Sequence, residues 1–134
     1  MRVFLVRHAE AAPGHPDELR PLTSAGREQA RALGERLAAV APAVVLSSPL
    51  LRARETAAAI ARATGAELRI DERLAPGATL AALLEAVHGL PEPLATPLVA
   101  VGHQPDCGEI AAALTSGEPP SYPPAGVAEL DLPL

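Results

Sequence analysis

The sequence predicts an α/β protein: a three-layer α/β/α sandwich with a mainly parallel central sheet and a C-terminal edge strand. Three observations carry that expectation. Short runs of largely branched apolar residues, "VFLV", "AVVL" and "LVAV", have the pattern of strands buried on both faces. Segments with apolar residues at helical spacing lie between them. Each buried run also ends abruptly in polar or chemically active residues: Arg7-His8, Ser47-Ser48 and Gly102-His103.

The elements follow in order. "VFLV", residues 3 to 6, is the first strand. After a polar loop, Thr23 is the expected N-cap of a helix whose buried stripe is Ala30, Leu33, Leu37 and Val40, closed by Pro42. A second buried strand covers residues 43 to 47. Ser48 and Pro49 then have the form of an N-cap and first-turn pair, for a helix that buries Ala53, Ala57, Ile60 and Ala61 and stops at Gly65. "ELRID" alternates as a third strand. Thr79 opens a helix through Leu80, Leu83, Leu84 and Val87, ended by Gly89 and Pro91. Residues 98 to 102 form another buried strand running into His103. Asp106 with Glu109 resembles a capping box for a helix reaching about Leu114. The Pro-rich stretch "GEPPSYPPAG" is expected to be a loop, and "VAELDL" after it alternates like an edge strand.

Composition bounds the function. The 134 residues show no repeat or internal boundary, so residues 1–134 are expected to be one domain. Phe4 and Tyr122 are the only aromatic residues apart from histidine, and alanine fills the gap, so helices are expected to pack closely on small side chains. Lysine is absent; all 11 basic residues are arginine. A net charge of −5 argues against nucleic acid as a partner. The single cysteine, Cys107, excludes an internal disulfide and a Cys-rich metal site, and fits a small buried hydrophobe. No His/Asp/Glu cluster has ligand spacing, so neither a metal nor another cofactor is expected. The apolar run Val3–Val6 is too short for a membrane span or a signal, so no membrane partner and a cytoplasmic location are expected.

Chemistry is concentrated at three strand ends. In open α/β sheets, ligands gather at the carboxyl ends of the strands. There the sequence delivers Arg7-His8, Ser48-Pro49-Leu50-Leu51-Arg52 and Gly102-His103. A cation in the first turn of a helix opposes the helix dipole. Arg52 is therefore favoured there if an anion sits between it and the outward-pointing N–H groups of the helix N-terminus. Two arginines and two histidines at one edge make a compact cationic pocket whose natural guest is a phosphoryl group. His15 and His88 are expected to be surface residues.

These segments resemble the histidine phosphatase, or phosphoglycerate-mutase-like, superfamily. "VRHAE" is similar to its Arg-His-Gly signature, with Ala9 in place of the usual Gly. "RPLTSAGREQA", "SSPLLRARETA" and "VGHQPD" resemble three further family segments, in family order, over residues 2 to 108. The short length, "RPLT" and "GHQPD" are most similar to the small SixA-like phosphohistidine phosphatase branch. The resemblance implies that His8 is the nucleophile and that Arg7, Arg52 and His103 hold the oxygens of the transferring group. It also implies that Arg20 contacts the substrate near the phosphate. Positioned cations suit a reaction that spreads negative charge over those oxygens. His8 must be neutral to attack, and the flanking arginines favour that; His103 is expected to be able to carry a charge and donate. Larger family members carry a glutamate acid after the third strand. Glu72 in "DERLAPGAT" is the nearest candidate here, and Glu10 is a second.

The resemblance implies a metal-independent phosphatase acting through a phosphohistidine on His8, with a phosphate-bearing substrate. Protein phosphohistidine and a small phosphorylated metabolite are both open as that substrate. A non-catalytic phosphate-binding module is the remaining alternative; it would be favoured by loss of a core residue, and Arg7, His8, Arg52 and His103 are all present.

Overall fold

The computed structural model describes residues 1–91 and 97–133. Five strands form one sheet: β1 (Arg2–Arg7), β2 (Val44–Ser47), β3 (Glu67–Ile70), β4 (Leu98–Gly102) and β5 (Val127–Asp131). Their order is β3-β2-β4-β1-β5; β1, β2, β3 and β4 run parallel and β5 pairs antiparallel with β1. The helices are α1 (Ser24–Ala38), α2 (Leu51–Thr64), α3 (Leu80–His88) and α4 (Asp106–Thr115).

The pleat divides the apolar runs between two cores. Val3, Leu5, Leu46, Leu98 and Ala100 face Leu83, Ala86 and Ile110 of α3 and α4. Their neighbours Phe4, Val6, Val45, Val99 and Val101 face Leu33 and Leu37 of α1 and Ala53, Ala57 and Ile60 of α2. Strands buried on both faces need unbroken apolar runs, and those continuous, branched-rich runs are what marked them in the sequence. The result is the expected three-layer sandwich.

The helices pack closely on small residues, as the alanine content implies. A Cβ on Gly34 would stand 3.0 Å from both the Ala59 carbonyl oxygen and the Ala63 Cβ, so α1 and α2 meet almost backbone to backbone. Thr23 caps α1 by accepting from the Gly26 N–H at 2.9 Å, and Thr79 caps α3 by accepting from Ala82 at 3.2 Å. Gly65 ends α2 in the left-handed conformation, φ 78°.

Three local expectations are corrected. Ser48 does not cap α2, whose N-cap is Leu50 with no side-chain bond; the Ser48 hydroxyl is taken by His103 instead. Asp106 lies inside α4 rather than at its cap, and its carboxylate accepts from the Gly77 and Ala78 N–H groups at 2.8 and 3.1 Å. The N-cap is Pro105, and Gln104, the residue before it, accepts through Oε1 from Gly108 N–H at 2.8 Å. β3 is a strand, but its alternation does not separate inside from outside: it is a sheet edge, with Leu68 and Ile70 both exposed.

Candidate active site

The topology brings three loaded strand ends together. β4 lies between β1 and β2, so the loops after these strands leave one sheet edge side by side. Backbone bonds tie them in register: His8 N–H donates to the Gly102 carbonyl and Ser48 N–H to the Val101 carbonyl, both at 3.0 Å. This is the point where chain connections diverge to either side, the usual place for a ligand in such a sheet.

His8 is fixed on both sides. The next residue, Ala9, is fully buried and its N–H donates to the Thr56 hydroxyl at 3.0 Å, which in turn donates to the Arg52 carbonyl at 2.8 Å. The His8 ring places Nδ1 2.7 Å from the Ala9 carbonyl oxygen. A carbonyl can only accept, so Nδ1 carries the proton and Nε2 keeps its lone pair. Burial pushes the His8 pKa down. The Ala9 bond opposes that shift, and the charges of Arg52, Arg7 and Arg20 reinforce it. The neutral ring expected from the arginines is therefore owed first to desolvation.

Arg52 stands in the first turn of α2 and is buried. Its two terminal nitrogens are held by one residue: Nη1 donates to the Asp17 carbonyl at 2.9 Å and Nη2 to Asp17 Oδ2 at 3.2 Å. Arg20 donates through Nη1 to Asp17 Oδ1 at 3.0 Å and through Nε to the Ala12 carbonyl at 2.8 Å. Asp17 thus bridges the two guanidiniums, and hydrogen bonds from Arg20 and then Arg52 hold its carboxyl below the usual range. Arg7 donates to the Tyr122 carbonyl of the Pro-rich loop at 2.8 Å, and its buried Nε has no partner among the described residues.

His103 lies with its ring centroid 5.2 Å from that of His8. It is buried, and its pKa is lowered to about 4 by desolvation, then by His8 and Arg52; the Asp17 charge opposes this. The expectation that His103 carries a charge is corrected for the free pocket: it is neutral there at physiological pH, because its surroundings are dry and already cationic.

The candidate acids and the other two histidines are exposed. The Glu10 carboxylate accepts from the Thr23 hydroxyl at 2.7 Å and so fastens the start of α1. Glu72 is exposed, in the short 3₁₀ turn Glu72–Leu74 after β3, with β2 and β4 between that strand and β1. His15 and His88 are exposed. Cys107 is buried with its thiol pushed up to about 12, so it is an inert core group. Among the described residues, no three His, Cys, Asp or Glu side chains are grouped as a metal site would need.

Sequence reasoning missed Asp17, Thr56 and Tyr122. Thr56 had a signal, since it falls in the matched "RARETA" segment. Asp17 and the Tyr122 carbonyl had none, because each acts from a loop across a long sequence gap.

Known proteins resemble this chain in sequence and in fold. The family model of the histidine phosphatase superfamily (branch 1) matches residues 3–76. An uncharacterized protein of Picosynechococcus sp. is 36% identical over 124 residues, covering 88% of this chain and 75% of that protein. The probable phosphoglycerate mutase GpmB of Salmonella paratyphi C is 37% identical over 81 residues, but those cover 55% of this chain and only 37% of GpmB. In structure, a SixA from Agrobacterium tumefaciens superposes with a TM-score of 0.81 at 29% identity, over 97% of this chain and 90% of that one. The protein histidine phosphatase SixA complexed with tungstate gives 0.81 at 27% identity, over 96% and 86%. Matching segments, fold and the converging arginines and histidines together make this chain a member of the histidine phosphatase superfamily.

Proposed function

We propose that this phosphatase acts without a metal through a phosphohistidine on His8, and that its substrate is a phosphohistidine side chain of a protein. The observation that carries the reading is the His8 Nδ1–Ala9 bond, which leaves Nε2 as a neutral nucleophile beside Arg7, Arg52 and His103. In the first step Nε2 bonds to phosphorus as the substrate's phosphorus–nitrogen bond breaks, its electron pair leaving with the imidazole. A water then attacks phosphorus, Nε2 departs with its pair, and the water's proton passes to solvent. Arg7, Arg52 and His103 meet the charge on the equatorial oxygens, and such charge stabilisation supplies most of the catalysis in phosphoryl transfer. A SixA of similar fold was solved complexed with tungstate, an oxyanion, which supports an anionic guest for this chain.

The test is a quenched reaction of the wild type, with a panel of phosphohistidine peptide, p-nitrophenyl phosphate and sugar phosphates, with and without chelator. Label on His8, labile to acid and stable to alkali, with phosphohistidine the preferred substrate, is the expected result. Label on Ser47, Ser48 or Cys107, or activity lost with chelator and restored by a divalent ion, would overturn the mechanism. Preference for sugar phosphates would instead favour a small-metabolite phosphomonoesterase.

A further inference from the structure

Ser48 sits at the centre of the site and takes no part in the transfer steps themselves. It is fully buried, and its Oγ lies 2.7 Å from His103 Nε2. The same oxygen accepts from the Leu50 N–H at 3.2 Å. A hydroxyl has one hydrogen to give. The Leu50 N–H occupies an acceptor site of Oγ, and His103 Nε2 is the acceptor Oγ has among the described residues. The hydroxyl hydrogen therefore goes to Nε2, which must be the unprotonated nitrogen.

The consequence falls on the other ring nitrogen. In a neutral imidazole one nitrogen donates and the other accepts. With Nε2 accepting, the proton is on Nδ1, and that atom is buried with no partner among the described residues. A buried donor left unpaired is costly, and native proteins retain one where something outside the chain completes it. The ring lies beside His8, and the charges acting on it are those of Arg52 and, in the opposite sense, Asp17; a guest that could meet both this donor and the Arg52 guanidinium is an anionic oxygen.

We propose that Ser48 is a positioning residue that holds His103 in the Nδ1–H tautomer, making a neutral histidine a hydrogen-bond donor to a phosphate oxygen. The inference rests on the phosphatase reading of the pocket. It explains how His103 donates without carrying a charge, and why the serine is used across the sheet rather than as a helix cap.

The tautomer can be measured directly. In wild-type protein, ¹⁵N-detected NMR of the His103 ring should show a protonated Nδ1 and an unprotonated Nε2. Ser48→Ala removes one oxygen and should leave a mixture of tautomers. It should also weaken binding of inorganic phosphate, and lower kcat, by about fivefold to tenfold, the range for one neutral hydrogen bond. Ring signals showing Nε2 protonated in the wild type would overturn the proposal even if the variant failed to fold. So would a Ser48→Ala variant with unchanged phosphate affinity while the wild type binds phosphate. A wild type that binds no phosphate, with the tautomer intact, would overturn the reading of the pocket and this proposal with it.

Discussion

Asp17 occupies both terminal nitrogens of Arg52, through its carbonyl at 2.9 Å and its carboxylate at 3.2 Å, while the same carboxylate pairs with Arg20. An exposed acid thus stands on the buried cation proposed to hold the phosphate. It orients the guanidinium, and it also competes with any incoming anion. Competition should win in the product complex, because the guanidinium has further N–H groups to offer and the carboxylate has only charge to oppose. Asp17→Asn keeps the side-chain shape and should tighten inhibition by inorganic phosphate, roughly twofold to fivefold, the scale of an ion pair whose carboxylate is exposed. Weaker phosphate inhibition in that variant would show that orientation dominates.

The pH dependence follows from the two histidines. Burial, aided by nearby arginines, holds the His8 pKa below its ordinary value. The acid limb of kcat/KM, corrected for ionisation of the substrate, should therefore fall below the ordinary histidine value of about 6.5. His103 should titrate near 4 in the free protein and at higher pH once phosphate is bound, because a bound anion favours the charged ring. Both groups bind protons less readily folded than unfolded. Stability then rises with pH across that interval and is lost on acidification. An NMR titration of the ring protons, with and without phosphate, checks both signs; a His103 midpoint unmoved by phosphate would contradict its contact with the anion.

Gly26 carries a purely steric prediction. A Cβ there would stand 2.0 Å from the Glu10 carbonyl oxygen, an approach no side chain permits. The contact joins α1 to the loop after His8, and Thr23 N–H also donates to that carbonyl at 3.0 Å. Gly26→Ala should cost about 1–3 kcal/mol of stability, as overpacking does. Because the displaced backbone is two residues from His8, kcat should fall as well. Urea denaturation and turnover of one preparation would test both effects.

The sequence disclosed the parts of this fold that depend on short-range pattern. The buried runs, the Thr23 and Thr79 caps and the Gly65 stop each follow from residues within one turn or one pleat. Arg7, His8, Arg52 and His103 stand out in the sequence because each closes a strand, directly follows one, or lies in the first turn of the next helix. The errors have one physical form. Ser48 and Asp106 are good local caps, and each found a distant partner instead: His103 for the hydroxyl, the Gly77 and Ala78 amides for the carboxylate. Glu10, a candidate acid by adjacency, has a contact that adjacency does not announce: its carboxylate accepts from the Thr23 hydroxyl. Asp17 could not be read at all, because a lone acid in a polar loop has no periodicity to mark it.

The last prediction concerns the proton for the leaving group. An alkoxide leaves poorly and normally needs a proton delivered in the transition state. A phosphohistidine imidazole protonated at its free nitrogen leaves as neutral imidazole, and p-nitrophenolate is stable alone; sugar alkoxides are not. Of the two candidate acids, Glu10 is bonded to Thr23 and Glu72 is exposed beyond the edge strand β3. The pocket carboxylate that does lie close, Asp17, is held below the usual range by two arginines and has no proton to give at neutral pH. Glu72→Gln should therefore change kcat toward phosphohistidine or p-nitrophenyl phosphate by less than about threefold, against roughly 10²-fold for a lost general acid. Wild-type turnover of phosphoglycerate and other alkyl phosphates should be poor. A large Glu72→Gln defect together with good alkyl-phosphate turnover would place a working acid in the site and move the substrate to a small phosphate monoester.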